Sequence, residues 1–139
     1  MSSVNLNYEK EDVKGKVINI ILWGLQLLTA GMFFMASFMK LSGAEMMIKE
    51  FDLIGIGQWF RYLTGTIEGF SAILLLIPSF SGIGALLLIP TMIGAIAAHF
   101  VILGGSATPA FVLLVFSILI AFGRKDSILY FVNKFISKK

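Results

Sequence analysis

From Gly69 to Gly123 the chain carries a single ionisable side chain, His99. A soluble domain buries one stripe of each helix and leaves the rest in water, so it has no place for such a stretch. The run is long enough to cross a hydrocarbon core of about 30 Å twice. In hydrocarbon every backbone group must be satisfied within the fold, which leaves helices or a closed barrel, and these uninterrupted apolar runs are helical. Over all 139 residues, 58% are apolar and 14% charged. The expected fold is all-α, a polytopic membrane four-helix bundle with two short interfacial amphipathic helices.

Residues 1–16 are polar and are read as an N-terminal segment. The four-helix domain covers 17–123, with spans at about 17–39, 59–77, 83–103 and 107–122. Val17–Met39 is longer than the apolar core of a signal peptide and lacks a small-residue cleavage site, so it is read as a retained first helix. Residues 40–58 form the longest connection. Ser42 and Glu45 have capping-box spacing there, and Met46, Met47, Phe51 and Ile54 share one face of a short helix at the interface, near 43–52. Pro90 interrupts the third span, and Thr108-Pro109 looks like an N-cap and first helical position for the fourth. After Gly123 a basic amphipathic tail, 124–139, forms a second interfacial helix near 126–136, anchored by Lys138-Lys139.

Four spans put both termini on one side. That side would hold Lys10, Lys14, Lys16, Arg124, Lys125, Lys134, Lys138 and Lys139, against Lys40, Lys49 and Arg61 on the other. The asymmetry places both termini in the cytoplasm, with the protein in the plasma (inner) membrane. Membrane lipid is then a partner. Nucleic acid is not, because the basic residues sit at the chain ends, as membrane topology requires.

Polar residues inside the spans are few. Asn19, Gln26, Phe33 and Lys40 recur every seven residues along one stripe of the first helix. Arg61 and Glu68 repeat that spacing on the second, with Thr64 and Gly65 between them, and His99 lies near the outer end of the third. The assigned orientation brings Lys40, Arg61, Glu68 and His99 to one depth in the outer half. A carboxylate in hydrocarbon is expensive, so Glu68 must face inward and be paired, hydrogen-bonded or protonated. Arg61, Lys40 and His99 are the available partners, although Lys40 and Arg61 also have the length to snorkel to headgroups. Gly65/Gly69 and Gly94/Ala98 are small pairs suited to close helix packing within the chain.

Without cysteine there is no disulfide relay, iron–sulfur cluster or thiol nucleophile. One histidine cannot ligate a haem from both sides. No phosphate-binding glycine loop and no metal-ligating cluster is legible.

The segment Phe33-Phe-Met-Ala-Ser-Phe-Met-Lys-Leu-Ser-Gly43 resembles the end of the first helix of the DoxX-like family. Phe60-Arg-Tyr-Leu-Thr-Gly-Thr-Ile-Glu-Gly69, running on to Leu76-Ile-Pro78, resembles its second helix. Gly84-Ala-Leu-Leu-Leu with Met92-Ile-Gly-Ala-Ile-Ala-Ala-His99 resembles its third. The similarity covers about residues 17–122, and the lysine, glutamate and histidine of the family pattern fall on Lys40, Glu68 and His99. Ser37 departs from it, since many relatives carry glycine there. The resemblance implies a small four-helix membrane protein, some relatives being implicated in quinone-linked sulfur oxidation or membrane redox assemblies.

Two functional readings follow. In the first, the chain is an accessory or subunit of a quinone-linked redox system, an oxidoreductase subunit without its own metal or flavin, working with a redox protein partner. In the second it is a non-enzymatic helper of membrane-protein assembly or a binder of a lipophilic small molecule. Both expect a ligand cavity bounded by Gln26, Phe33, Lys40, Trp59, Arg61, Glu68 and His99, open to the outer leaflet and able to take a quinone or a phospholipid.

Overall fold

The computed structural model describes residues 3–136, which form six α-helices and no strand. They are α1 (Ser3–Ser42), α2 (Glu45–Ile54), α3 (Gln58–Leu76), α4 (Ser81–Ala98), α5 (Thr108–Gly123) and α6 (Lys125–Ile136). A five-residue π turn, His99–Leu103, carries α4 onward. The second to fourth expected spans match α3, α4 with its π turn, and α5 to within one or two residues. The two short amphipathic helices expected near 43–52 and 126–136 are α2 and α6. The Lys138-Lys139 anchor lies outside the described residues.

Three details differ from expectation. First, α1 starts at Ser3, so the polar N-terminal segment is helical and α1 is 40 residues long, roughly 60 Å. Residues 3–16 hold no proline and one glycine, and a helix nucleated in the apolar span propagates outward through such residues at little cost. Second, Ser42 does not cap α2. It still belongs to α1, which closes on Gly43 in the left-handed region (φ 75), with the Ala44 N–H donating to Met39 O at 3.0 Å. That six-to-one bond is the Schellman closure, and it needs a residue without Cβ strain at Gly43. Third, Thr108 is the first residue of α5 and Ala107 its N-cap, while Ser106 Oγ accepts the Thr108 N–H at 3.2 Å.

The long helices pack in sequence. α1 lies on α3, α3 on α4, α4 on α5, and α5 returns to α1. Gln26 bonds Leu75 O and Ser37 bonds Gly65 O, so α1 and α3 run antiparallel. α2 covers one end, against α3 and the π turn, and α6 covers the other, against α4 and α5. The apolar core is Ala30, Phe33, Ala72, Leu75, Leu88 and Ile120 with their neighbours.

The surface has the composition usually found inside. Phe38, Phe100, Val101 and Phe122 are more than two-thirds exposed, whereas Gln26, Thr29, Glu68, Ser71 and Ser117 are fully buried. Such an inversion suits a hydrocarbon solvent. Among the described residues two helices are long and apolar enough to cross a membrane, α1 and the continuous Ser81–Leu103. α5 is apolar but shorter, at 16 residues. α3 has 19 residues, and its hydropathy is diluted by Arg61 and Glu68, both turned inward.

Glycines set the closest approaches. A Cβ on Gly69 would lie 2.6 Å from Ser37 Oγ, and one on Gly65 would lie 3.0 Å from Lys40 Cβ, so this pair packs within the chain as expected. Gly94 does not: a Cβ there would meet nothing within 4 Å. It lies on the outer face of α4. A Cβ on Gly84 would fall 2.8 Å from Ser71 O and 3.0 Å from Leu75 N, backbone atoms that cannot rotate away. Gly84→Ala should therefore destabilise the protein by about 1–3 kcal/mol through overpacking. Gly94→Ala should be neutral or stabilising by up to about 1 kcal/mol. Thermal unfolding of the two variants in detergent tests the contrast, and equal midpoints would contradict it.

Candidate functional site

The polar residues of α1 and α3 meet because of how side chains leave a helix. Each Cα–Cβ bond tilts toward its own helix N-terminus. In an antiparallel pair the two tilts oppose, so a residue near the end of α1 and one in the middle of α3 lean toward each other. Lys40 and Glu68 do this, with Nζ 2.6 Å from Oε1. The Glu68 side chain is 1% exposed and that of Lys40 15%. Gly65 lies beside the lysine stem and leaves room for it.

Arg61 is not the partner of Glu68. Its Nη1 donates to the Lys40 carbonyl, one of the carbonyls left open at the C-terminal end of α1. A guanidinium there also meets the negative end of the helix dipole. Arg61 Nε donates to Gln58 Oε1 at 2.7 Å, and Gln58 Nε2 donates to Asp52 Oδ1 at 2.6 Å and to Ile48 O at 3.0 Å. The guanidinium also lies 4.3 Å over the Tyr62 ring, a cation–π contact. One network thus ties the end of α1, the α2 helix and the start of α3. Neither Lys40 nor Arg61 snorkels away from the fold.

His99 belongs to the same end but not to this cluster. It opens the π turn, and its Nδ1 lies 2.9 Å from Ala95 O. A carbonyl can only accept, so Nδ1 carries the proton and Nε2 remains for another partner. No hydrogen bond or ion pair joins it to Glu68 among the described residues. The register explains why. Gly84 packs against Ser71–Leu75, which puts Glu68 level with the region of Pro90, so His99 lies roughly 14 Å further along α4. The expectation of one shared depth fails for His99, because depth counted from helix ends ignores the stagger of α3 and α4.

Gln26 is also elsewhere. Its Nε2 donates to Leu75 O at 2.7 Å, and its Oε1 accepts from Arg124 Nε at 2.7 Å. Arg124 Nη1 donates to Asn19 Oδ1 at 2.9 Å, and its guanidinium lies 5.7 Å over the Trp23 ring. This second polar layer lies at the opposite end of the bundle from Lys40 and Glu68. The sequence reading missed Arg124 and Gln58. The signal for Arg124 was present: a polar stripe at Asn19 and Gln26 needs a donor at that depth, and Arg124 directly follows the last span.

The expected cavity is closed. Phe33 and Gln26 are 0% exposed and Arg61 is 4% exposed, and a side chain without water-sized surface cannot line a void. Trp59 is 61% exposed, with Nε1 donating to Ile56 O at 3.1 Å, so it faces outward. The enclosed space between α1 and α3 therefore does not fit a quinone headgroup. Three oxygens in this region, Glu68 Oε2, Thr29 Oγ1 and Ser71 Oγ, are buried without hydrogen-bond partners.

A family model described as the DoxX-like family matches residues 24–122. No curated protein and no solved structure matches the chain.

Removing one member of the buried pair should be costly. Glu68→Gln leaves the Lys40 ammonium facing a neutral amide, and about 3 kcal/mol of stability should be lost, less whatever water recovers at the partly exposed lysine. Lys40→Met in the same background should restore part of it. A double-mutant cycle on unfolding in detergent checks this, and strictly additive losses would show that the two side chains do not interact.

Proposed function

The chain belongs to the DoxX-like family of small membrane proteins, and on that premise we propose a four-span bundle, α1, α3, α4 and α5, in the plasma membrane with both termini cytoplasmic. The Lys and Arg asymmetry supports the orientation, and the cyclic packing of the four long helices supports the bundle. The proposed role is non-enzymatic: a membrane accessory protein that helps assemble or hold other membrane components. The observation that carries this reading is the closure of the Lys40–Glu68 pair, 2.6 Å apart with the carboxylate buried. A general acid or base must be reachable by its substrate, and here both charges are spent on fixing α1 against α3.

A second reading keeps the link to a quinone-linked redox system, with a redox protein as partner and the chemistry supplied by that partner. The half-buried His99 favours it. Its ring is held by Ala95 O, its Nε2 is available, and it sits in a π turn, a feature that recurs at functional sites. A lipophilic headgroup would then bind at the lipid-facing edge of the bundle near His99, not between α1 and α3.

Two measurements test these readings. In this cysteine-free chain, a cysteine replacing Lys49 should react with an impermeant maleimide from the outside only. Reaction from the cytoplasmic side alone would reverse the topology. A short-chain quinone titrated onto purified protein separates the roles. The second reading expects binding that His99→Ala weakens by about 1–3 kcal/mol and Glu68→Gln leaves unchanged. Absence of binding leaves the first reading alone.

A further inference from the structure

Nearly half of α1 stands clear of the fold, touching it through Asn19, which accepts from Arg124. From Ser3 to Ile21 every described residue is exposed, and at 1.5 Å per residue this arm runs roughly 28 Å along the helix axis. An isolated helix of that length is marginal in water without tertiary support. Of its exposed apolar residues, Leu6, Val13, Val17 and Ile20 share one face, while Val4, Tyr8, Ile18 and Ile21 lie off it. Leu6, Val13 and Ile20 recur at seven residues, and Lys10 and Val17 fall between them at the complementary spacing. These positions form one seam with the alternating three-and-four step of a two-stranded coil. The seam faces away from the side that packs on α3, which carries Leu22, Gln26, Phe33 and Ser37. It continues into the apolar span through Gly24 and Gly31, where a Cβ would meet nothing within 4 Å.

We propose that this seam pairs with the same seam of a second copy, so that the protein is a parallel homodimer through α1. The charges choose the occupant. In a parallel coil each flanking residue that precedes an inner position meets the partner residue five further on. With Leu6 and Val13 as inner positions, that pair is Glu9 and Lys14, of opposite sign, and two-fold symmetry makes it twice. Among the described residues neither Glu9 nor Lys14 has an ion-pair partner within its own chain, whereas Asp12 and Lys16 do, at 3.5 Å. Lys10 is the single charged residue on the seam. One polar inner residue lowers stability but fixes register and strand number. Copies inserted in the same orientation present their arms side by side, which satisfies the parallel geometry whichever side the arm occupies.

The test uses the full chain in native membranes and exploits its lack of cysteine. Single variants Leu6→Cys and Val13→Cys lie on the seam, and Tyr8→Cys and Gly15→Cys lie on the opposite face of the same arm. Mild oxidation should give disulfide-linked dimers at Leu6→Cys and Val13→Cys and not at the other two. In the Val13→Cys background, Glu9→Lys should lower the dimer fraction roughly fivefold by turning two exposed pairs into repulsions. Adding Lys14→Glu should restore it. Cross-linking at none of the four positions, or equally at all of them, would overturn the dimer. So would adducts formed only with a different protein. A dimer fraction indifferent to the charge reversal would overturn the register.

Discussion

A buried carboxylate on α3 organises this molecule. Glu68 lies where water does not reach, so its charge has to be met from within, and the lysine that meets it comes from the far end of α1. Antiparallel helices make that possible, because their side chains lean toward one another. The arrangement then fixes its surroundings. Gly65 has to be small beside the lysine stem, and the last turn of α1 has to end where Arg61 can bond its carbonyl. α2 has to fold back over Gln58. Each requirement is met by a residue whose identity would otherwise look arbitrary.

The same logic explains the inverted composition. Between apolar helices in hydrocarbon there is little hydrophobic drive to associate, and close backbone approach and interhelical hydrogen bonds take its place. The buried surfaces here carry glycine, alanine, serine and glutamine beside Phe33, Leu75 and Leu88, while Phe38, Phe100, Val101 and Phe122 point out. Gly69 against Ser37 and Gly84 against the α3 backbone are two such close approaches.

Much of this was legible in the residue pattern. The positions of the long helices, both amphipathic helices and the stripe that buries Gln26 and Phe33 and brings Lys40 to α3 follow from periodicity, and Glu68 had to face inward to be paired, hydrogen-bonded or protonated. Three things were hidden. The partner of Glu68 was ambiguous, since Arg61 and Lys40 are both within reach until the helix pair has a register. The depth of His99 depends on the stagger of α3 and α4, which Gly84 sets and no local pattern reports. The helical state of residues 3–16 was masked by their polarity, although nothing in them stops a helix that is already running.

The α1–α3 register rests on contacts of one kind, polar groups reaching backbone carbonyls or each other. Gln26 meets Leu75 O, Ser37 meets Gly65 O, and Arg61 meets Lys40 O. The three are spread along the interface at matching separations, so a slip of one turn would break all of them together and leave their donors unsatisfied in hydrocarbon. Apolar packing alone would tolerate such a slip, because Leu, Ile and Ala are interchangeable along much of both helices. The polar contacts therefore supply specificity more than net attraction. Placing the arginine-linked layers at the two ends, Arg61 with α2 and Arg124 with Asn19 and Gln26, pins α1 at both ends of its interface with the bundle.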